Sequence, residues 1–284
     1  YLTSIALRAA NQPFQEIQDA NAILLLGSDL PNELPILHLR VQGRAAAGAR
    51  IYLAHHRPTR LDTACAGTWT YRPGGETFFL AALLRHAAEE KGSPLPEEMQ
   101  EILAALVAPE GENKTGLPDE EIRKIAHEIL QAERSTILLG ESLFTSWKGT
   151  AHVRLAAELA ALLRREPGLP LPLSLLPPHN NSRGAADMGC YPHRGPGYKP
   201  VTPPGRNTTQ ILEGCLDGSI QGLVLFHTDI LEEYPDRDLA RRALESVPFL
   251  AVADTHEYET AKHATVFMPL SSYSEENGTY TNLA

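Results

Sequence analysis

The sequence predicts an α/β protein with parallel sheets and helices on both faces. Short apolar runs such as Ala22–Leu26 and Gly222–Phe226 end in turn-forming or polar residues, the pattern of strands buried in a parallel sheet. Stretches with helical spacing stand between these runs, and regular alternation of strand and helix is the signature of crossover connections. With 284 residues, 43% of them hydrophobic and 21% charged, the chain can bury a sizeable core.

Taken in order, Ala22–Leu26 is a strand that ends at Gly27-Ser28-Asp29, residues 34–47 are a helix, and residues 50–54 are a second strand. Residues 76–90, 96–106 and 118–131 are expected as helices. The last carries Asp119, Glu120 and Glu121 in its first turn, where the helix dipole favours acids. Residues 136–139 form a further strand, followed by Gly140-Glu141-Ser142 and a helix over 150–165. Residues 166–206 carry ten prolines and several glycines, too many for a helix or a central strand, so a long loop is expected there. Alternation resumes with a helix over 208–216, a strand over 222–226 and a helix over 237–246. A strand over 249–253, a helix over 257–264 and a strand over 265–268 follow. Two subdomains are expected: residues 1–131, with a helical extension, and residues 132–284, containing the loop over 166–206.

Composition excludes several classes of function. A net charge of −10 and a pI near 5.6 argue against nucleic acid, whose binding rests on clustered Lys and Arg. No apolar run approaches the ~20 residues of a membrane span. The widely spaced Cys65, Cys190 and Cys215 suit reduced thiols in the cytoplasm better than a disulfide framework. The chain starts at Tyr1 rather than Met, so further polypeptide is expected before it.

In open parallel sheets ligands bind beyond the carboxyl ends of the strands. That rule nominates Gly27, Ser28 and Asp29, then His55 and His56, Gly140 and Glu141, His227 to Asp229, and Asp254 with Thr255 and His256. The same residue types end strands simply because turns require them. Neither G-x-G-x-x-G nor a phosphate-loop lysine motif is present, and no G-x-S-x-G marks a hydrolase. His256 and His263 are two helical turns apart, unlike the zinc-protease spacing. Cys190 and His193 form at most half a metal site, and no cysteine run suits an iron–sulfur cluster. No catalytic residue and no metal ligand is assigned.

Three stretches carry a family resemblance. DANAILLLGSDLPNELPILHLRVQGRAAAGARIYLAHHRPTRLDTAC (19–65), NNSRGAADMGCYPHRGPGY (180–198) and PFLAVADTHEYETAKHATVFMPLSSYSEENGTYTN (248–282) follow one another in the order found in the molybdopterin oxidoreductase superfamily. The second resembles its Asn-x-x-Gly-x-x-Asp-Met-Gly loop, and the third its Asp-x-x-x-x-Glu-Thr-Ala segment. The resemblance implies two Rossmann-like subdomains. It also implies cofactor-facing or vestigial positions at Gly27, Ser28, Asp29, His55, Gly140, Asn180, Gly184, Asp187, Asp254 and Thr255. Glu259-Thr260-Ala261, Pro269 and the Asn277-Gly278 pair read as fold chemistry.

Two branches of the superfamily imply different functions. In the catalytic branch, exemplified by formate dehydrogenases, a molybdopterin guanine dinucleotide is held at these strand ends. In the large iron–sulfur subunit of NADH:quinone oxidoreductase, respiratory complex I, the corresponding domain often lacks the cofactor and follows N-terminal iron–sulfur domains. Here His55 stands where the first branch usually has a guanine-pairing acid, and Glu141 and Asp229 place carboxylates where phosphates would approach. The sequence therefore favours the complex I branch, with a molybdopterin guanine dinucleotide enzyme core as the alternative. The resemblance implies a scaffold with no cofactor of its own and iron–sulfur clusters elsewhere in the parent chain. It also implies partners among the other peripheral-arm subunits, a cytoplasmic location peripheral to the inner membrane, and further chain after Ala284. The 284 residues alone are expected to be colourless, metal-free and unable to oxidise NADH.

Overall fold

The computed structural model describes residues 14–106, 113–146, 148–166, 169–177 and 179–281. The expected polypeptide before Tyr1 and Asn282, which ends the last motif, lie outside these. The chain forms two compact units, one running to Arg183 and taking in Thr281, the other spanning Gly184–Tyr280.

The first unit is built on a five-stranded parallel sheet. Its strands are β1 (Ala22–Leu26), β2 (Arg50–His55), β3 (Gly67–Thr70), β4 (Ser135–Leu139) and β5 (Leu173–Leu175), in the order β3-β2-β1-β4-β5. β1 is central and all five of its residues are buried, which explains its unbroken apolar run. Helix α1 (Phe14–Asp19) precedes it. After β1 the chain makes one turn of helix, α2 (Leu30–Glu33), before α3 (Pro35–Ala46); prolines lie in the first turn of both, where their missing N–H costs nothing. Leu37 and Val41 of α3 cover the face carrying Ile23, Leu25, Ile51 and Leu53. The opposite face carries Ala22, Leu24, Leu26, Tyr52, Ala54 and Trp69. It is covered by α4 (Glu76–Lys91), α6 (Asp119–Gln131) and α8 (Gly149–Leu163), while α5 (Glu97–Ala105) contributes Met99 to the same core. The one-turn helix α7 (Glu141–Phe144) follows β4.

The second unit holds three parallel strands, β6 (Gly222–Phe226), β7 (Phe249–Asp254) and β8 (Val266–Pro269), in sequence order. Helix α10 (Thr208–Leu216) and helix α12 (Arg237–Ser246) pack through Leu212, Cys215, Ala240, Ala243 and Leu244 against Leu223, Leu225, Leu250 and Val252. The one-turn α11 (Ile230–Glu233) lies between β6 and α12.

Several expectations are corrected. The boundary falls at Arg183 rather than residue 131, because β4 pairs with β1 along its whole length and belongs to the same sheet. Residues 166–206 are not all loop. They contain β5, whose neighbour Pro172 accepts from Ile137 N at 2.8 Å, and α9 (Ser182–Asp187). Prolines are tolerated there because β5 is an edge strand. β3 was not expected at all. The helix over 257–264 is a short 3-10 turn, Glu259–His263. Glu141 and Asp229 are half-buried.

Candidate strand-end site

In the first unit the nominated residues meet where the strand order turns, at the carboxyl ends of β1, β2 and β4. Gly27 adopts φ +63°, a left-handed conformation that glycine takes without a Cβ clash. Its N–H donates to Ala54 O at 2.9 Å, and the N–H of Gly140 donates to Leu26 O at 2.7 Å. Both amides thus continue the ladders of β1 with β2 and β4. Ser142 Oγ donates to Gly27 O at 2.6 Å.

A phosphate cradle uses glycine to bring ligand oxygens to the backbone. Here that space holds protein. A Cβ on Gly140 would fall 2.1 Å from Gly27 O, and one on Gly27 would fall 2.6 Å from Leu143 Cγ. These glycines make room for each other's loops.

Around them lies a polar network in which one carboxylate oxygen, Asp29 Oδ1, is buried without a hydrogen-bond partner. Ser28 and Asp29 are buried, and Ser28 Oγ donates to Glu33 Oε2 at 2.7 Å. Arg57 Nη2 and Asn32 Nδ2 donate to Asp29 Oδ2 at 2.8 and 2.9 Å. Burial pushes the Asp29 carboxyl upward, but the hydrogen bonds from Asn32 and Arg57 and the guanidinium charge outweigh it, and the carboxyl stays below its usual range. His55 is buried, its Nδ1 3.2 Å from Arg57 N, and its ring lies 4.2 Å from that of His56. Burial, then the charges of His56 and Arg57, hold His55 below the ordinary imidazole value, so it is neutral at pH 7. Arg57, Asn32 and Ser142 were not nominated from sequence, because their partners are set by tertiary structure; Arg57 in the His-His-Arg-Pro run was the available signal.

The second unit repeats this strand-end device 200 residues later. His227 sits at φ +47° and its N–H donates to Ala253 O at 2.9 Å, as Gly27 does to Ala54. Thr228 Oγ1 donates to Glu233 Oε2 at 2.6 Å, as Ser28 does to Glu33. Asp229 Oδ1 accepts from Thr260 Oγ1 at 2.5 Å. Asp254, 5% exposed, accepts from Thr255 N at 2.7 Å, and His227 Nδ1 lies 3.7 Å away. Thr260 was named from sequence only as part of a helix start, and its role as the partner of Asp229 was missed.

The remaining nominated positions are spread along α9 and its flanks. Asn180 is exposed, Gly184 lies inside α9, and Asp187 accepts from Tyr198 Oη at 2.7 Å. Cys190 is exposed, and among the described residues no group of three or more His, Cys, Asp or Glu is placed to hold a metal ion. A cavity of about 560 Å³ opens in the helix layer beside Phe78, Arg85, Lys114 and Asp119, away from the strand ends.

The fold is that of a doubly wound dinucleotide-type sheet followed by a smaller parallel sheet. The family model described as molybdopterin oxidoreductase matches residues 120–284, more than half of the sequence, and the chain belongs to that family. It is 26% identical over 295 residues to an NADH-quinone oxidoreductase subunit of Rhizobium meliloti (strain 1021), covering 96% of this chain and 33% of that protein. It is 28% identical to NADPH-Fe(3+) oxidoreductase subunit alpha of Geobacter sulfurreducens, covering 98% and 36%. It is 23% identical to formate dehydrogenase H of Escherichia coli (strain K12), covering 98% and 43%. The chain thus spans about a third of the first two relatives. Acetylene hydratase from Pelobacter acetylenicus shares the fold, with a TM-score of 0.62 at 15% identity over 87% of this chain and 40% of that one. No helix of the described residues is long and apolar enough to cross a membrane.

Proposed function

We propose that this oxidoreductase-family chain is the scaffold domain of a large iron–sulfur subunit of the NADH:quinone oxidoreductase type. In this reading electrons pass through clusters held elsewhere in the parent polypeptide, and this domain docks against other peripheral-arm subunits on the cytoplasmic side of the membrane. The observation that carries the reading is the Gly27–Gly140 junction, where both amides are committed to protein carbonyls and the space beside both glycines is filled. Acidic Glu141 opens the one-turn helix at the same junction, adding charge of the wrong sign for an anionic dinucleotide. Similarity to the NADH-quinone oxidoreductase chain of Rhizobium meliloti supports the same choice.

A second reading, the core of a molybdopterin guanine dinucleotide enzyme, draws on the similarity to formate dehydrogenase H. Metal analysis of the complete polypeptide separates the two. Iron without molybdenum is expected; about one molybdenum per polypeptide, with a pterin released on denaturation, would establish the second reading instead.

A further inference from the structure

Helix α5 packs loosely in the helix layer of the first unit. Met99 is its fully buried residue, whereas Ile102, Leu103 and, just past its end, Leu106 are half-buried. Along α4, Phe78 and Arg85 flank Ala81 and Ala82, and Ala104 of α5 also lines the gap. These alanines are too small to close the space, and the cavity of about 560 Å³ remains. Protein interiors seldom keep a void larger than a water molecule, and a pocket of this volume with apolar walls and a few polar groups is typical of a small-molecule site.

Its two ends differ in charge. At one end Arg85 Nη2 and His86 Nε2 donate to Asp119 Oδ1 at 3.1 and 2.9 Å, so the carboxylate is matched by its neighbours. At the other, Lys114 Nζ lies 5.0 Å and Lys148 Nζ 5.6 Å from the centre of the Phe78 ring. Among the described lining residues Asp119 is the one carboxylate, so the Phe78 end is positive in a chain of net charge −10. Hydrogen bonds hold the Lys114 loop in place. Asn113 Oδ1 accepts from Thr115 N at 3.1 Å and from Gly116 N at 2.9 Å, and Arg72 N donates to Thr115 O at 2.8 Å. A loop fixed in this way loses little freedom when a ligand binds.

We propose that this cavity binds a medium-chain acyl carboxylate. The carboxylate sits beside Lys114 and Lys148 at the Phe78 end, and the alkyl chain runs past Ala81 and Ala82 toward Arg85. Phe78 and Arg85 are two turns apart on α4, a rise of about 10 Å, which matches the length of such a chain. Each methylene buried along this path raises affinity by up to about fourfold. The site lies in the helix layer, away from the strand ends, and the proposal is independent of any redox role.

The test is isothermal titration calorimetry of the complete polypeptide that carries this chain, with octanoate, nonanoate and decanoate below their micellar concentrations. Decanoate is expected to bind at about one per polypeptide, with affinity rising about two- to fourfold for each added methylene. Decanol, which lacks the charge, should bind about tenfold more weakly. Ala104→Trp, at an exposed position that lines the cavity, should weaken decanoate binding by about tenfold or more while the thermal midpoint is kept; Ala82→Leu, on the opposite wall, is the second filling variant. Lys114→Gln should weaken decanoate about tenfold and leave decanol unchanged. Absence of binding to the unmodified polypeptide overturns the proposal and assigns the cavity to residues 107–112 of the chain itself. Undiminished binding in both filling variants overturns it by placing decanoate elsewhere. Equal affinity for decanol and decanoate overturns the role given to the lysines, and with it the proposal.

Discussion

Gly140 stands directly on Gly27: a methyl group at position 140 would fall 2.1 Å from the carbonyl oxygen of Gly27, closer than any non-bonded approach allows. The two loops are 2.7 Å apart at the hydrogen bond from Gly140 N to Leu26 O, so neither can retreat without losing the end of the β1–β4 ladder. Gly140→Ala is therefore expected to destabilise the first unit by about 2–4 kcal/mol, measured by urea unfolding. An alanine variant of wild-type stability would show that the loops have slack, and with it room for a ligand.

His55 and His152 make stability fall in mild acid. His152 is buried between Leu143 O and Thr77 Oγ1, each 2.8 Å from a ring nitrogen, and burial, the first cause, lowers its pKa as it does for His55. The folded value lies below the unfolded one, so the unfolded chain takes up protons first. Stability is flat well above the ordinary imidazole value, where both states are neutral, and falls by up to about 1.4 kcal/mol per pH unit for each histidine as pH drops through that value. Urea midpoints between pH 7.5 and 5 should show this slope, and His152→Gln should reduce it. An unchanged slope in that variant would mean that other groups cause it.

Arg57 neutralises a carboxylate that is 2% exposed. Arg57→Ala leaves Asp29 with Asn32 as its remaining side-chain donor. The Asp29 pKa should rise in a carbon-13 NMR titration, and the fold should lose about 1–2 kcal/mol, a modest figure because the Arg57 side chain is itself half exposed. Asp29 stability is present above the ordinary carboxyl value and is lost as pH falls through the lower folded value, a window separate from that of the histidines.

Thr260 joins two turns of the second unit. Its hydroxyl donates to Asp229 and its Oγ1 accepts from Leu231 N at 3.3 Å. Thr260→Val removes both while keeping the shape, and should cost about 1–3 kcal/mol by thermal unfolding; Thr260→Ser should recover most of it. Equal losses in the two variants would point to packing rather than the hydroxyl.

The three thiols should react in a fixed order. Cys190 is exposed, Cys215 is buried, and burial, helped by the charge of Asp62, pushes the Cys65 thiol up to about 12. Maleimide at pH 7 should label Cys190 well before the other two in the native state. Early labelling of Cys65 would mean that the segment between β2 and β3 opens readily.

Strands with a strong local signature were legible from sequence: β1 is five consecutive apolar residues, all buried, and β6 keeps its bounds as an apolar run although Val224 and Phe226 are exposed. β3 was missed because Gly-Thr-Trp-Thr buries a single tryptophan, and β5 because three residues between prolines resemble a loop. The boundary at Arg183 escaped because periodicity does not report that β4 pairs with a strand more than a hundred residues earlier. At the candidate site, Gly27 and Gly140 were nominated by the strand-end rule for ligands, whereas Leu143 and Ser142 are what pack against this junction. Family resemblance located the positions; tertiary packing determined what fills them.

The Gly27–Gly140 junction also bears on the order in which the first unit assembles. Asp29 and Arg57 are 28 residues apart, whereas Gly27 and Ser142 are 115 apart, so closing the second contact costs about 1 kcal/mol more chain entropy in an otherwise unstructured chain. The half built from β1, β2 and β3 can form from local contacts, while the junction waits for α4, α5 and α6 to bring β4 back. Contacts made after the barrier slow unfolding without speeding folding. The two facing glycines then act as a latch whose strength sets how long the folded unit persists rather than how fast it is reached.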